Sequence, residues 1–300
     1  MTTLREALLT VTPVVADDLC AWWAGFVHDA SAPTVERALL AGARADRLGF
    51  AFAGGYAAAL AALVPALGDL TTCLCATEEG GNHPRAIRAQ LSPRAERWVL
   101  DGEKRWATLG GLAEQALVVA SVGEEAGRNR LRVARVSLSA PGVVVSPMPE
   151  TPFVPEVPHA SVSFRGVEVA ELLPGDGYAR YLKPFRSVED LHVHAALLGY
   201  LIGVARRSGW PSAAVEELLA LAGAAQDLAA ADPLSPATHL ALAGLLSLSS
   251  ARVEACQSLW ARVDPAEAAR WQRDRPLLEV AGKARAARLA KARAHFGLQG

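Results

Sequence analysis

The sequence predicts an α+β chain with N-terminal helices, a central antiparallel β-sandwich or barrel, and a C-terminal helical bundle. Three observations predict this. Residues 71–171 alternate short β-rich runs with Gly, Pro, Asn and Asp turns, the pattern of an antiparallel sheet. Beyond residue 187, Leu, Ala and Val recur at three- and four-residue spacing, the period of a buried helix face. No Gly-x-Gly-x-x-Gly follows a strand and opens a helix, so a dinucleotide site on βαβ units has no support.

Taken in order, residues 1–70 form a helical domain. Asp17-Asp18 precede a helix over 19–28, Ala32-Pro33-Thr34 precede one over 35–48, and a third spans 50–63. In the third, Ala51, Gly54, Gly55, Ala58, Ala59 and Ala62 leave so little side-chain bulk that another helix or a ligand can approach its backbone closely. The uncharged stretch 48–68 is mostly Ala and Gly and is interrupted by Pro65, which fits an internal helix better than a membrane span.

The β domain occupies 71–171, with runs at 71–77, 97–100, 104–108, 116–122, 131–138, 142–145, 160–164 and 167–169. Asp101-Gly102 is a strong hairpin signal between the second and third runs. A linker follows at 172–186. The bundle occupies 187–300, with helices at 188–207, 213–231, 237–262 and 265–296 and breaks at Pro211, Pro233 and Pro236. Lys283, Arg285, Arg288, Lys291 and Arg293 make the last helix basic, which fits a solvated face first and a phosphate contact second.

With 51% hydrophobic residues, the 300-residue chain can bury a large core in two or three domains. A net charge of −1 and a pI near 6.7 give no electrostatic reason for nucleic acid or an anionic membrane as partner. Cys20, Cys73, Cys75 and Cys256 are scattered. Cys73 and Cys75 share one face of a strand and lack a second pair, so they read as buried thiols and not as a metal site. With no signal-peptide pattern at the N-terminus, the expected location is the cytoplasm.

Trp106 and Thr108, two apart on a strand, point to one face, and Thr77 stands at the end of an earlier run. An indole and two hydroxyls along one slot suit a planar heteroaromatic ring. The same spacing also fits an ordinary sheet around a buried Trp.

The wording of the stretch resembles the middle domain of the acyl-CoA dehydrogenase family. Ala76-Thr77-Glu78, then Leu100-Asp101-Gly102-Glu103-Lys104-Arg105-Trp106-Ala107-Thr108, then Gly110 and Ala113-Glu114 follow that family's T-E-P-x-x-G-S-D, N-G-x-K-x-W-I-T-N-G and A-D segments. The resemblance implies FAD as cofactor, with Ala76, Thr77, Trp106 and Thr108 at the flavin-contacting positions. It implies an acyl thioester or related small molecule as substrate, and assembly as a homodimer or homotetramer. There are departures. Glu79 replaces the Pro after T-E, and Asn82-His83-Pro84 replaces G-S-D, putting His83 where the family's Ser meets the substrate arm. No Tyr-Glu-Gly-Thr and no Gln-Gly-Gly occurs, and Arg293-Ala294-His295-Phe296-Gly297 matches the family's R-x-x-F-G only at the extreme C-terminus.

Some members of the family carry the catalytic base on the first helix of the C-terminal domain, ten residues before a Gly. Glu189, ten before Gly199, resembles that placement. Its position near an expected helix start equally fits a capping role. His192, three residues on, is close enough for a Glu–His pair, whereas His192 and His194 diverge too much to share a metal. His83 is the second catalytic candidate, and it equally fits a residue that only satisfies its turn. Three functions therefore stand open. They are an FAD-dependent oxidoreductase of acyl-CoA dehydrogenase type, a flavin-less binding or partner subunit on the same fold, and a flavin monooxygenase of that fold.

Overall fold

A computed structural model describes residues 3–25, 31–81 and 83–298. Residues 26–28 of the first predicted helix and Asn82 of the departing motif lie outside the described residues. The chain divides into two compact units, one drawn from residues 1–62, 151–156 and 187–300 and the other from 63–150 and 157–186.

The β unit holds eight strands: β1 (Thr72–Cys75), β2 (Gln90–Arg94), β3 (Arg97–Thr108), β4 (Gln115–Glu125), β5 (Arg128–Ser137), β6 (Val143–Pro147), β7 (His159–Val169) and β8 (Glu171–Leu172). They form one sheet in the order β6-β7-β3-β2-β4-β5-β8, with β1 added against β4. The sheet is mixed. β1 and β4 run parallel, with Thr72 opposite Gln115 and Cys75 opposite Val118, and β2 meets β4 in parallel at Gln90 and Ser121. The remaining pairings are antiparallel. The expectation of a wholly antiparallel sheet is corrected here. The chain makes the β2–β3 excursion before β4 returns beside β1, and turn spacing carries no information about a partner so far along the chain. Leu91, Leu100, Val118, Phe164 and Val167 pack its core together with Cys73 and Cys75, whose sulfurs lie 3.9 Å apart as buried free thiols.

Asp101-Gly102 is not a hairpin turn. β3 runs straight through it, and the register slips between Leu100 and Gly102 against β7. Gly102 has φ +140, and a Cβ there would stand 2.6 Å from Ala89, so the glycine serves a bulge pressed on neighbouring backbone. The tight turn lies earlier, at Ala95-Glu96 between the paired Arg94 and Arg97.

The helical unit contains α1 (Leu4–Thr10), α2 (Leu19–Gly25), α3 (Thr34–Arg44), α4 (Leu48–Leu63), α5 (Lys183–Arg207), α6 (Ser212–Ala229), α7 (Pro236–Ala255), α8 (Pro265–Asp274) and α9 (Gly282–His295). Several predicted helix boundaries shift, and two of the shifts have a clear local cause. A π-helical turn at Tyr178–Leu182 runs into α5, so helix begins inside the expected linker. The predicted helix 265–296 is two helices. Pro276 cannot donate to the α-helical ladder, and a 3₁₀ turn at Arg275–Glu279 separates α8 from α9. The stretch Tyr178–Arg207 has the length and hydropathy of a membrane-crossing helix, but 83% of that window is buried inside the protein, as in a core helix.

Small residues set the packing of α3, α4 and α5. A Cβ on Gly42 would meet Ala196 O at 1.8 Å, and one on Gly199 would meet Leu39 O at 2.0 Å. The two helices thus cross with backbone against backbone at both points. On α4, Gly55 abuts His192 and Val193 of α5, and Gly54 abuts Ala41 of α3. The small residues of α4 are therefore used for helix packing.

Gly199→Ala is expected to destabilise the chain by about 3 kcal/mol, the upper part of the usual range for overpacking, because the methyl meets a carbonyl that cannot swing aside. A lowered urea midpoint checks this. An unchanged midpoint would refute the backbone contact.

Candidate functional site

A lysine inside the sheet organises the β unit's candidate site. Lys104 on β3 is 1% exposed, and its Nζ donates to Glu78 Oε1 at 2.6 Å. The Glu78 carboxylate also accepts from the backbone N–H of Arg88 at 2.7 Å and of Ala89 at 3.0 Å. Burial pulls the Lys104 pKa down while Glu78 opposes the shift. Glu78 and Gly81 exchange backbone hydrogen bonds of 3.1 and 2.9 Å. The segment leaving β1 is thereby folded back and tied to β3.

That tie brings Thr77 to Trp106. The Arg105 N–H donates to Thr77 O at 3.0 Å, with Ala76 buried and Thr77 half-buried. Lys104 pairs with Val162 and Ala107 with Ala160, so β3 has one residue more than β7 between these points. The extra residue is accommodated at Trp106, which has φ +58, uncommon for a bulky side chain. Lys104 and Ala107 face the core, while Arg105 and Trp106 face out. Trp106 is 45% exposed, which rules out the ordinary buried core Trp. Thr108 pairs with His159, whose ring stands 6.2 Å from that of Trp106 at 69°. Trp106, Thr108 and His159 thus share one ledge, and the Arg105–Thr77 hydrogen bond ties the segment of Ala76 and Thr77 to the strand beside it. The sequence analysis did not single out His159. The ledge fits a flat aromatic group. It offers an exposed indole, and the hydroxyls of Thr77 and Thr108 engage no other described residue.

His83 stands apart from the ledge chemistry. It is exposed and caps the 3₁₀ turn Pro84–Ala86, where its Nδ1 accepts from the Arg85 N–H at 3.2 Å.

In the helical unit, Glu189 lies past the first turn of α5, so the helix-start reading is corrected. Part of its surface remains accessible, yet protein surrounds its carboxyl, and this burial raises its pKa to about 7. Asp190 adds to the shift, and Arg285 and Arg288 oppose it. Asp190 is itself clamped by Arg285, at 3.0 Å, and by Arg288, so two residues of the basic α9 face are engaged and not solvated. The expected Glu189–His192 pair is absent. His192 Nε2 bonds Thr34 Oγ1 at 2.9 Å and Nδ1 bonds Val188 O at 2.8 Å, while burial lowers its pKa to about 4. Among the described residues no group of three or more His, Cys, Asp and Glu side chains could hold a metal ion.

Comparison with known proteins agrees with this architecture. Residues 73–167 match the family described as "Acyl-CoA dehydrogenase, middle domain". Comparison with curated proteins gives no match. Among solved structures, butyryl-CoA dehydrogenase from Megasphaera elsdenii superposes with TM-score 0.64 at 12% identity, covering 92% of this chain and 82% of that one. An FAD-dependent dehydrogenase gives TM-score 0.68 at 14% identity over 88% and 84% of the two chains. FkbI, for biosynthesis of a methoxymalonyl extender unit, gives 0.66 at 17% over 89% and 84%. The resemblance read from the motifs therefore holds. The chain has the acyl-CoA dehydrogenase fold, and its residues 73–167 match the middle domain of that family.

Lys104→Met is expected to cost roughly 3–5 kcal/mol, since it leaves the Glu78 carboxylate buried without its cation. Adding Glu78→Gln should recover much of that loss. Thermal melts of both variants check this, and an equally unstable double variant would refute the ion-pair account.

Proposed function

We propose that this chain, built on the acyl-CoA dehydrogenase fold, is an FAD-dependent oxidoreductase acting on an acyl thioester or a related small molecule. The observation that carries the reading is Trp106. A bulge holds it outward and half-exposed on the strand that carries Thr108, next to the residue that bonds Thr77. A bound flavin supplies the hydride acceptor. Trp106 gives that ring a stacking surface, and Thr77 and Thr108 offer hydroxyls to its polar atoms.

Glu189 is the proposed base for the proton on the carbon next to the thioester carbonyl. A carboxylate with its pKa near 7 is half ionised at neutral pH and strong enough to accept a carbon-bound proton once desolvated. Only the ionised form accepts that proton. Turnover should therefore rise with pH and level off above about 7. His83, held in its turn, is the weaker catalytic candidate.

The flavin-less subunit is the second reading. It is favoured by the His83-Pro84 departure. The proposed assembly is a homodimer or homotetramer through the C-terminal helices, where Leu248, Val280 and Phe296 stand 64%, 65% and 49% exposed. The proposed location is the cytoplasm, in keeping with four unpaired cysteines.

The purified protein is expected to be yellow or to take up added FAD, and Trp106→Ala to loosen that binding. Glu189→Gln should keep the flavin while turnover falls about a hundredfold or more. A colourless chain that refuses FAD would establish the second reading. Light scattering that reports a 31.5 kDa particle at micromolar concentration would refute the oligomer.

A further inference from the structure

The ledge has a member that the family motif does not include. His159 opens β7 opposite Thr108, and its own carbonyl accepts from the Met148 N–H at 2.9 Å, so its backbone is fixed on both sides. Its Nδ1 lies 3.1 Å from Val157 O. A carbonyl only accepts, so Nδ1 carries the proton and Nε2 of the neutral ring is left with a bare lone pair. Burial lowers the His159 pKa and keeps the ring neutral. Among the described residues, no group bonds Nε2.

The indole and imidazole planes meet at 69° with centroids 6.2 Å apart. With planes this steeply inclined, a flat molecule lying on the indole can present its edge to the imidazole. Backbone strain of the kind seen at Trp106 collects at ligand sites, and here it holds the indole toward solvent beside the unused acceptor.

We propose that His159 reads the ledge's ligand, its Nε2 accepting a hydrogen bond from the ring N–H of the planar heteroaromatic group seated on Trp106. The inference rests on the flavin reading above. An oxidised isoalloxazine carries a single ring N–H, the imide at N3, and that is the donor His159 meets. Its role is positioning, fixing which edge of the ring points inward.

The test is a fluorescence titration of the full chain, freed of any flavin, with FAD and with N3-methyl FAD. His159→Phe keeps an aromatic ring at that position but removes the acceptor, and should weaken FAD binding about fivefold, the usual net worth of one hydrogen bond. His159→Gln restores an acceptor and should stay within about twofold of the wild type. N3-methyl FAD should bind the wild type more weakly than FAD does, and His159→Phe should no longer distinguish the two. Melting curves of both variants separate lost contact from lost fold. If His159→Phe binds FAD as the wild type does while Trp106→Ala weakens it, the His159 inference falls and the ledge stands. Equal discrimination against the methylated ring by wild type and His159→Phe also overturns it. If neither variant changes affinity, or the wild type binds no FAD, the ledge reading falls with it.

Discussion

The β unit's candidate site depends on one buried ion pair. Lys104 sits in a sheet whose inward face is otherwise built from Cys, Ala, Val, Leu and Phe side chains. An ammonium there is tolerated only with a partner. Glu78 serves as that partner, and two backbone N–H groups satisfy the rest of its carboxylate. A buried pair of this kind is weak evidence for net stability, because desolvation offsets most of the attraction. Its consequence is geometric. Glu78 cannot leave Lys104 without a large penalty, so the segment after β1 is held on β3, and the adjacent Thr77 is placed to accept from Arg105. The bulge that turns Trp106 outward follows in the next residue.

The helical unit reaches its precision by another route. α3 and α5 touch through Gly42 and Gly199 at distances where no side chain fits, so their relative position is set by backbone contact and not by adaptable side chains. Gly199 is the residue ten beyond Glu189. The spacing that marks Glu189 in the sequence thus has a physical meaning: it measures Glu189 from a rigid crossing point. Electrostatics then sort two neighbouring carboxylates. Asp190 takes both α9 arginines, while Glu189 has burial without a bond from either and keeps its proton to higher pH.

Much of the candidate site was legible in the sequence, and its omissions have a common cause. Thr77, Trp106 and Thr108 were visible because strand alternation and the motif both point at them. Glu78 and Lys104 were visible as motif letters, but their pairing was not, since it joins residues 26 apart across a loop. His159 was missed because its claim rests entirely on lying opposite Thr108 on another strand. His192 shows the reverse failure. Its helical spacing from Glu189 allowed a pair, but Thr34, distant in sequence, took the ring nitrogen first.

By itself the sequence determined the order of helices, strands and helices and the motif that marks the middle domain, because periodicity, turn chemistry and hydrophobic content are local properties. Asp101-Gly102 marks the limit of local reading. The same dipeptide makes a hairpin or a bulge, and β7 running alongside both halves of β3 decided for the bulge. Tertiary structure alone decided that the sheet is mixed, that the helix of Glu189 begins before the expected linker ends, and that Trp106 faces out. Each of these depends on which distant backbone pairs or packs against a segment, and a single chain's local pattern does not specify that partner.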